Sequence, residues 1–121
     1  MSGKFMPKTP VQLDPPKDDP ISKEELKKCD GVQSDKIFIG IKGTVFDVSL
    51  NQNAYGVGKG YHALVGRDAS RALGKSSLKP VDTDYAVSAD YSVLNEKELK
   101  VLDDWFTFFS NRYNVVGKVV D

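Results

Sequence analysis

Residues 36–49, KIFIGIKGTVFDVS, carry apolar side chains too densely for a strand with one wet face. A half-exposed strand alternates apolar and polar residues, whereas a near-continuous run of β-branched and aromatic residues belongs in a buried strand. The stretch therefore predicts two buried strands, 36–41 and 44–49, turning at Lys42-Gly43. Whatever else this chain forms has to cover that hairpin.

The material for doing so is limited. Of 121 residues, the first 20 hold Pro7, Pro10, Pro15, Pro16 and Pro20 among charges, with little to bury. Such a segment stays extended and reads as a disordered linker, so one domain is expected over 21–121. About 100 residues suffice for an independent core. Ser22 and Glu25 spell a capping box for a helix running to Cys29, which Asp30-Gly31 stops. Asn95 and Glu98 cap a longer one over 96–112, with Leu99, Leu102, Phe106, Phe109 and Tyr113 on one apolar face. VVGKVV, at 115–120, supplies a last strand. The order of helix, two strands, short helices, long helix and strand is α+β rather than alternating β-α-β.

Composition narrows the function classes. Apolar residues make up 40% and charged residues 28%, with net charge zero. That is an ordinary globular balance, and it gives no reason to expect nucleic acid as a partner. A single cysteine, Cys29, allows no internal disulfide and favours a reducing, intracellular compartment. At a helix end it reads as a plain thiol. No apolar run approaches the roughly 20 residues that span a bilayer, and no signal-peptide pattern opens the chain. Any membrane attachment is expected to use an anchor outside it.

The string NAYGVGKGYHALVGRDASRALGKS, residues 53–76, raises two phosphate-binding patterns. A-x-x-x-x-G-K-S from Ala69 ends as a phosphate loop does, but Gly66-Arg67-Asp68 precedes it instead of a buried strand. Asp68 reads as a helix N-cap, which puts Gly74 at the helix C-terminus, the wrong end for phosphate. Gly56, Gly58 and Gly60 lack both the strand and the acidic residue of a dinucleotide site and instead suit close backbone approach to something flat. One histidine, His62, and one cysteine are too few for a structural metal site. No G-x-S-x-G elbow accompanies a triad. Asp82, Asp84 and Asp90 lack calcium-loop order and read as solvated members of a loop over 78–93.

Three strings, KGTVFDVS, AYGVGKGYHALVGRDASRAL and DWFTFFSNRYNVVGKVV, stand in an order that resembles the membrane-associated progesterone receptor family over residues 21–120. The resemblance implies a cytochrome b5-like haem-binding fold, a small mixed sheet with short helices around a cleft. An ordinary cytochrome b5 clamps haem between two histidines, one in an HPGG loop; this chain has neither that loop nor a second histidine. In the family a tyrosine is the single axial ligand of ferric, five-coordinate haem, and the matching position is Tyr61. Tyr55 matches a tyrosine that can hydrogen-bond to the ligand, and Arg112-Tyr113 matches a Lys-Tyr pair facing the haem. Asp47 and Asp68 match acidic positions. Each has a structural alternative: a strand-end turn for Asp47, a helix cap for Asp68, core packing for Tyr113. His62, beside the ligand position, is a competing donor.

A phenol titrates near 10 in water, and an adjacent ferric centre favours its phenolate. A hard anionic ligand also makes the iron difficult to reduce. The resemblance thus implies a non-enzymatic haem protein that supports membrane-bound cytochromes P-450 in sterol synthesis, in the cytoplasm or at the cytoplasmic face of the endoplasmic reticulum or other endomembranes. Its exposed haem face would allow self-association. Alternatives are a steroid-binding module without obligatory haem and a b5-type electron carrier.

Overall fold

Strands β2 (Phe38–Ile41) and β3 (Thr44–Asp47) form the expected antiparallel hairpin in the computed structural model, which describes residues 13–120. What is expected of residues 1–12 lies outside the described residues. Lys42 and Gly43 both adopt positive φ, 52° and 81°, as a two-residue turn matched to strand twist requires. The strands are shorter than the apolar run. Beyond them, Val48 N–H donates to the Ile37 carbonyl at 2.9 Å and Ile37 N–H to Ser49 Oγ at 2.9 Å.

Both faces of the hairpin are covered. Ile37, Ile39, Ile41, Phe46 and Val48 enter the larger core with Tyr55, Leu102 and Phe109. Phe38 and Val45 point the other way, onto Leu26 of α1 (Lys23–Lys28). The sheet runs β1-β4-β3-β2, with β1 (Pro20–Ser22) parallel to the central β4 (Asn114–Val120). β3 and β4 pair antiparallel, with a bulge that leaves Val116 outside the register. A Cβ on Gly117 would lie 2.4 Å from the Asp19 carbonyl oxygen, so glycine here is what lets β1 approach.

β1 is absent from the sequence-based reading, because three residues beginning with proline carry no strand signal. The proline-rich stretch also bonds along β4: Lys17 N–H donates to the Val115 carbonyl at 3.1 Å, and Asp14 N–H to Asn114 Oδ1 at 2.8 Å.

The two capping boxes form as expected, Ser22 with Glu25 and Asn95 with Glu98. The longest helix, α5, spans Glu96–Ser110, so Arg112 and Tyr113 lie just past its end rather than within it. Leu102 and Phe109 are its buried residues; Leu99 is exposed, and Leu94 before the helix fills the core instead. Three further expectations need correction. The helix after the glycine-rich string, α3 (Ser70–Lys75), begins after Ala69, so Asp68 stands before the cap position. Gly74 lies inside α3, where a Cβ would meet Leu94 Cδ1 at 2.4 Å; the left-handed residue ending the helix is Ser76, φ 52°. The loop over 78–93 contains a short helix, α4 (Pro80–Thr83), and its Asp82 is buried and paired with Arg71 Nε at 3.0 Å, not solvated.

Among the described residues no helix is long and apolar enough to cross a membrane.

Candidate functional site

Four residues, Gln52–Tyr55, make the short helix α2, and the glycine-rich loop turns back on it. Tyr61 N–H donates to the Ala54 carbonyl at 3.0 Å, and Lys59 N–H to the Gly56 carbonyl at 3.0 Å. A 3-10 turn, His62–Leu64, follows. This compact loop brings the two tyrosines of Y-G-x-G-x-G-Y together, with ring centroids 5.9 Å apart. Gly58 has φ of 80°, and a Cβ on Gly58 or Gly60 would meet nothing within 4 Å. The loop's outer side is thus open, whereas at Gly56 a Cβ would collide with the Gln52 carbonyl oxygen at 2.6 Å.

The second wall is the end of α5. Phe109 is fully buried, its ring 5.1 Å from Tyr113, 6.1 Å from Tyr55 and 5.5 Å from Phe46 in the core. Trp105 reaches Tyr61 at 6.5 Å and Phe108 at 5.7 Å. A continuous aromatic layer therefore runs from the sheet to the surface. At its two ends the tyrosines differ: Tyr55 is 4% exposed and Tyr61 42%. Burial, above all, and then the neighbouring Tyr113 and Tyr61 push the Tyr55 phenol well above its ordinary value, so it keeps its proton.

Arg112 lies across the Phe108 ring, its guanidinium carbon 4.4 Å from the centroid. Its Nε is buried and has no hydrogen-bond partner among the described residues. A buried donor left unmade is costly, and such an atom at an aromatic cleft fits a site that takes an anionic group from a ligand. The Asn51 side chain donates to the Tyr113 hydroxyl at 2.8 Å.

The structure thus brings Tyr55, Tyr61, Arg112 and Tyr113 to one cleft, and leaves Asp47 and Asp68 elsewhere. Asp47 Oδ1 accepts from Ser49 N–H at 2.9 Å, closing a strand-end turn. Asp68 is buried behind the hairpin: its carboxylate accepts from Gly43 N–H at 2.7 Å, from Ser70 N–H at 3.0 Å and from the Ser70 hydroxyl. His62 turns Nδ1 onto the Tyr55 carbonyl at 2.9 Å, which ties one ring nitrogen to the backbone. Cys29 donates to the Glu25 carbonyl, and burial raises its thiol pKa, as expected of an unreactive cysteine. Among the described residues no cluster of three or more His, Cys, Asp or Glu could hold a metal ion. Trp105 and Asn51 escaped the sequence reading. The first is the only tryptophan, on a helix whose partly wet edge periodicity does not reveal; the second precedes a four-residue helix too short to carry a periodic signal.

A sheet with this order, flanked by short helices around an aromatic cleft, is the cytochrome b5-like fold. A solved structure from Arabidopsis thaliana, described as having that fold, superimposes with a TM-score of 0.74 at 42% identity, covering 85% of this chain and 92% of the other. A family model described as "Cytochrome b5-like Heme/Steroid binding domain" matches residues 22–115, and the chain belongs to that family. The resemblance read from the sequence is borne out. "Probable steroid-binding protein 3" of Arabidopsis thaliana is 45% identical over 98 residues, covering 80% of this chain and 94% of its own length. The "Cytochrome P450 regulator dap1" of Schizosaccharomyces pombe is 38% identical over 99 residues, 79% of this chain; the match spans 60% of the regulator's length. These relatives carry names of binding and regulation rather than of enzymes.

Proposed function

We propose that this chain, over residues 21–121, binds ferric haem with the Tyr61 phenolate as single axial ligand, and that it supports membrane-bound cytochromes P-450 in sterol synthesis. The observation that carries the reading is the pairing of a half-exposed Tyr61 with a buried, protonated Tyr55 and an unpartnered Arg112 Nε in one aromatic cleft. Bound haem supplies a ferric centre, whose charge favours the phenolate form of its ligand.

The protein's own residues do the rest. Tyr61 offers its oxygen where solvent and ligand can reach it. Tyr55, beside it, holds a proton it can donate to that oxygen, which fixes the ring and spreads the charge. Arg112 and Tyr113 take the carboxylates, Arg112 as a charge with a free donor. Trp105 and Phe108 offer apolar faces to the macrocycle. Asp47 and Asp68, the acidic positions of the resemblance, hold the frame through the turns they close.

A hard anionic ligand stabilises the oxidised iron, so partner support or haem delivery suits this site better than electron transfer. The name of the fission-yeast relative supports the P-450 role; the place proposed for it is the cytoplasm or the cytoplasmic face of endomembranes. An open haem face would be apolar surface for self-association, read as a haem-dependent rise in sedimentation mass.

The relatives' names favour a second reading, a steroid module without obligatory haem. Titrating haem and a neutral steroid against wild type and Tyr61→Phe separates the two. Loss of haem binding alone supports the tyrosinate; unchanged steroid affinity with no saturable haem binding in wild type leaves the steroid module.

A further inference from the structure

Asn51 occupies the N-cap of α2 yet makes no side-chain cap. Asparagine at that position ordinarily accepts from an amide in the first turn. Here its Nδ2 donates instead to the Tyr113 hydroxyl at 2.8 Å, from a residue 62 positions away. Its backbone meanwhile holds the helix that carries Tyr55: Asn51 N–H donates to the Val48 carbonyl at 2.9 Å, and its carbonyl accepts from Tyr55 N–H at 3.1 Å. One residue therefore joins the two walls of the cleft.

A phenolic hydroxyl has one proton and two acceptor positions. Asn51 fills one acceptor position on Tyr113. The buried Tyr55 ring lies 6.1 Å from that of Tyr113, and its one phenolic proton is the one that faces Tyr61. Because Asn51 is the donor in its bond to Tyr113, Tyr113 does not use its own proton there and has it left to offer. The neighbouring Arg112 Nε is the second unused donor of the cleft.

We propose that Asn51 is a positioning residue that orients the Tyr113 hydroxyl as a donor toward the carboxylate of a bound ligand, an inference that rests on reading the cleft as a haem site. It makes the site selective for a flat apolar ligand that carries an anionic group over one that does not. Asn51 touches no ligand itself.

The test compares ferric haem with its dimethyl ester, in which both carboxylates are blocked, on wild type, Asn51→Ser and Tyr113→Phe. Serine is equally favoured at an N-cap but is too short to reach Tyr113, and no cap bond is lost with Asn51, so the fold is kept. The expected result is about tenfold weaker haem binding by Asn51→Ser, as for one hydrogen bond to a charged group, with ester affinity unchanged. In the Tyr113→Phe background the same change should have no further effect. Equal weakening of haem and ester, or an undiminished effect without the Tyr113 hydroxyl, would overturn the proposal. If wild type binds neither ligand, the haem reading fails, and NMR of the ligand-free protein decides the orientation separately. Asn51 amide protons with cross-peaks to the Tyr113 ring would retain it, and their absence would overturn it.

Discussion

The Asp68 carboxylate is almost fully buried, and its bonds to Gly43 and Ser70 lock the hairpin turn onto the start of α3. Replacing it with alanine strands the Gly43 and Ser70 amides and should cost about 2–3 kcal/mol, read as a lower urea midpoint at unchanged slope. Ligand affinity of the folded fraction should stay as it was, because the aromatic cleft lies elsewhere. Tyr55→Phe should do the reverse: it removes the hydrogen-bond donor beside Tyr61 and should weaken haem binding about 10–100-fold, the usual effect of losing a ligand's supporting partner, measured by absorbance titration. Resemblance alone puts Asp68 and Tyr55 on the same footing; only their surroundings separate them. That difference is set by tertiary contacts between residues 25 or more positions apart, such as Asp68 with Gly43 and Tyr55 with Phe109 and Tyr113. Spacing along the chain says nothing about it.

The elements that were legible are those whose signals are local. A capping box or a two-residue turn is read within a few positions, which is why α1, the hairpin and the start of α5 stand where the sequence puts them. β1 and the packing role of Gly74 depend on partners distant in sequence, and neither is visible without them. Gly117→Ala tests the sheet at its tightest point. The new methyl group would press on the backbone carbonyl of Asp19, which has no rotamer to escape into, so a loss of about 1–3 kcal/mol is expected from chemical unfolding. Asn95→Ala removes only the cap of α5 and should cost about 1 kcal/mol.

For the molecule as a whole, acid stability and haem binding give separate readouts. The Ser77 hydroxyl first, and then Arg71, hold the Asp82 carboxyl below the ordinary carboxylate range. The folded state therefore binds fewer protons than the unfolded chain near pH 4, so this stabilisation is complete above the unfolded value of about 4 and is lost as pH falls through the folded one. Asp82→Asn should lower the melting temperature at pH 7 and flatten its dependence on pH below about 4, as followed by calorimetry. Ligation by Tyr61 is tested by one absorbance titration with ferric haem, run on wild type and Tyr61→Phe. The wild type should show a saturable high-spin spectrum with a tyrosinate-to-iron charge-transfer band, lost in the variant together with tight binding. The same spectrum and affinity in both proteins would contradict it and move the ligand to His62 or another donor.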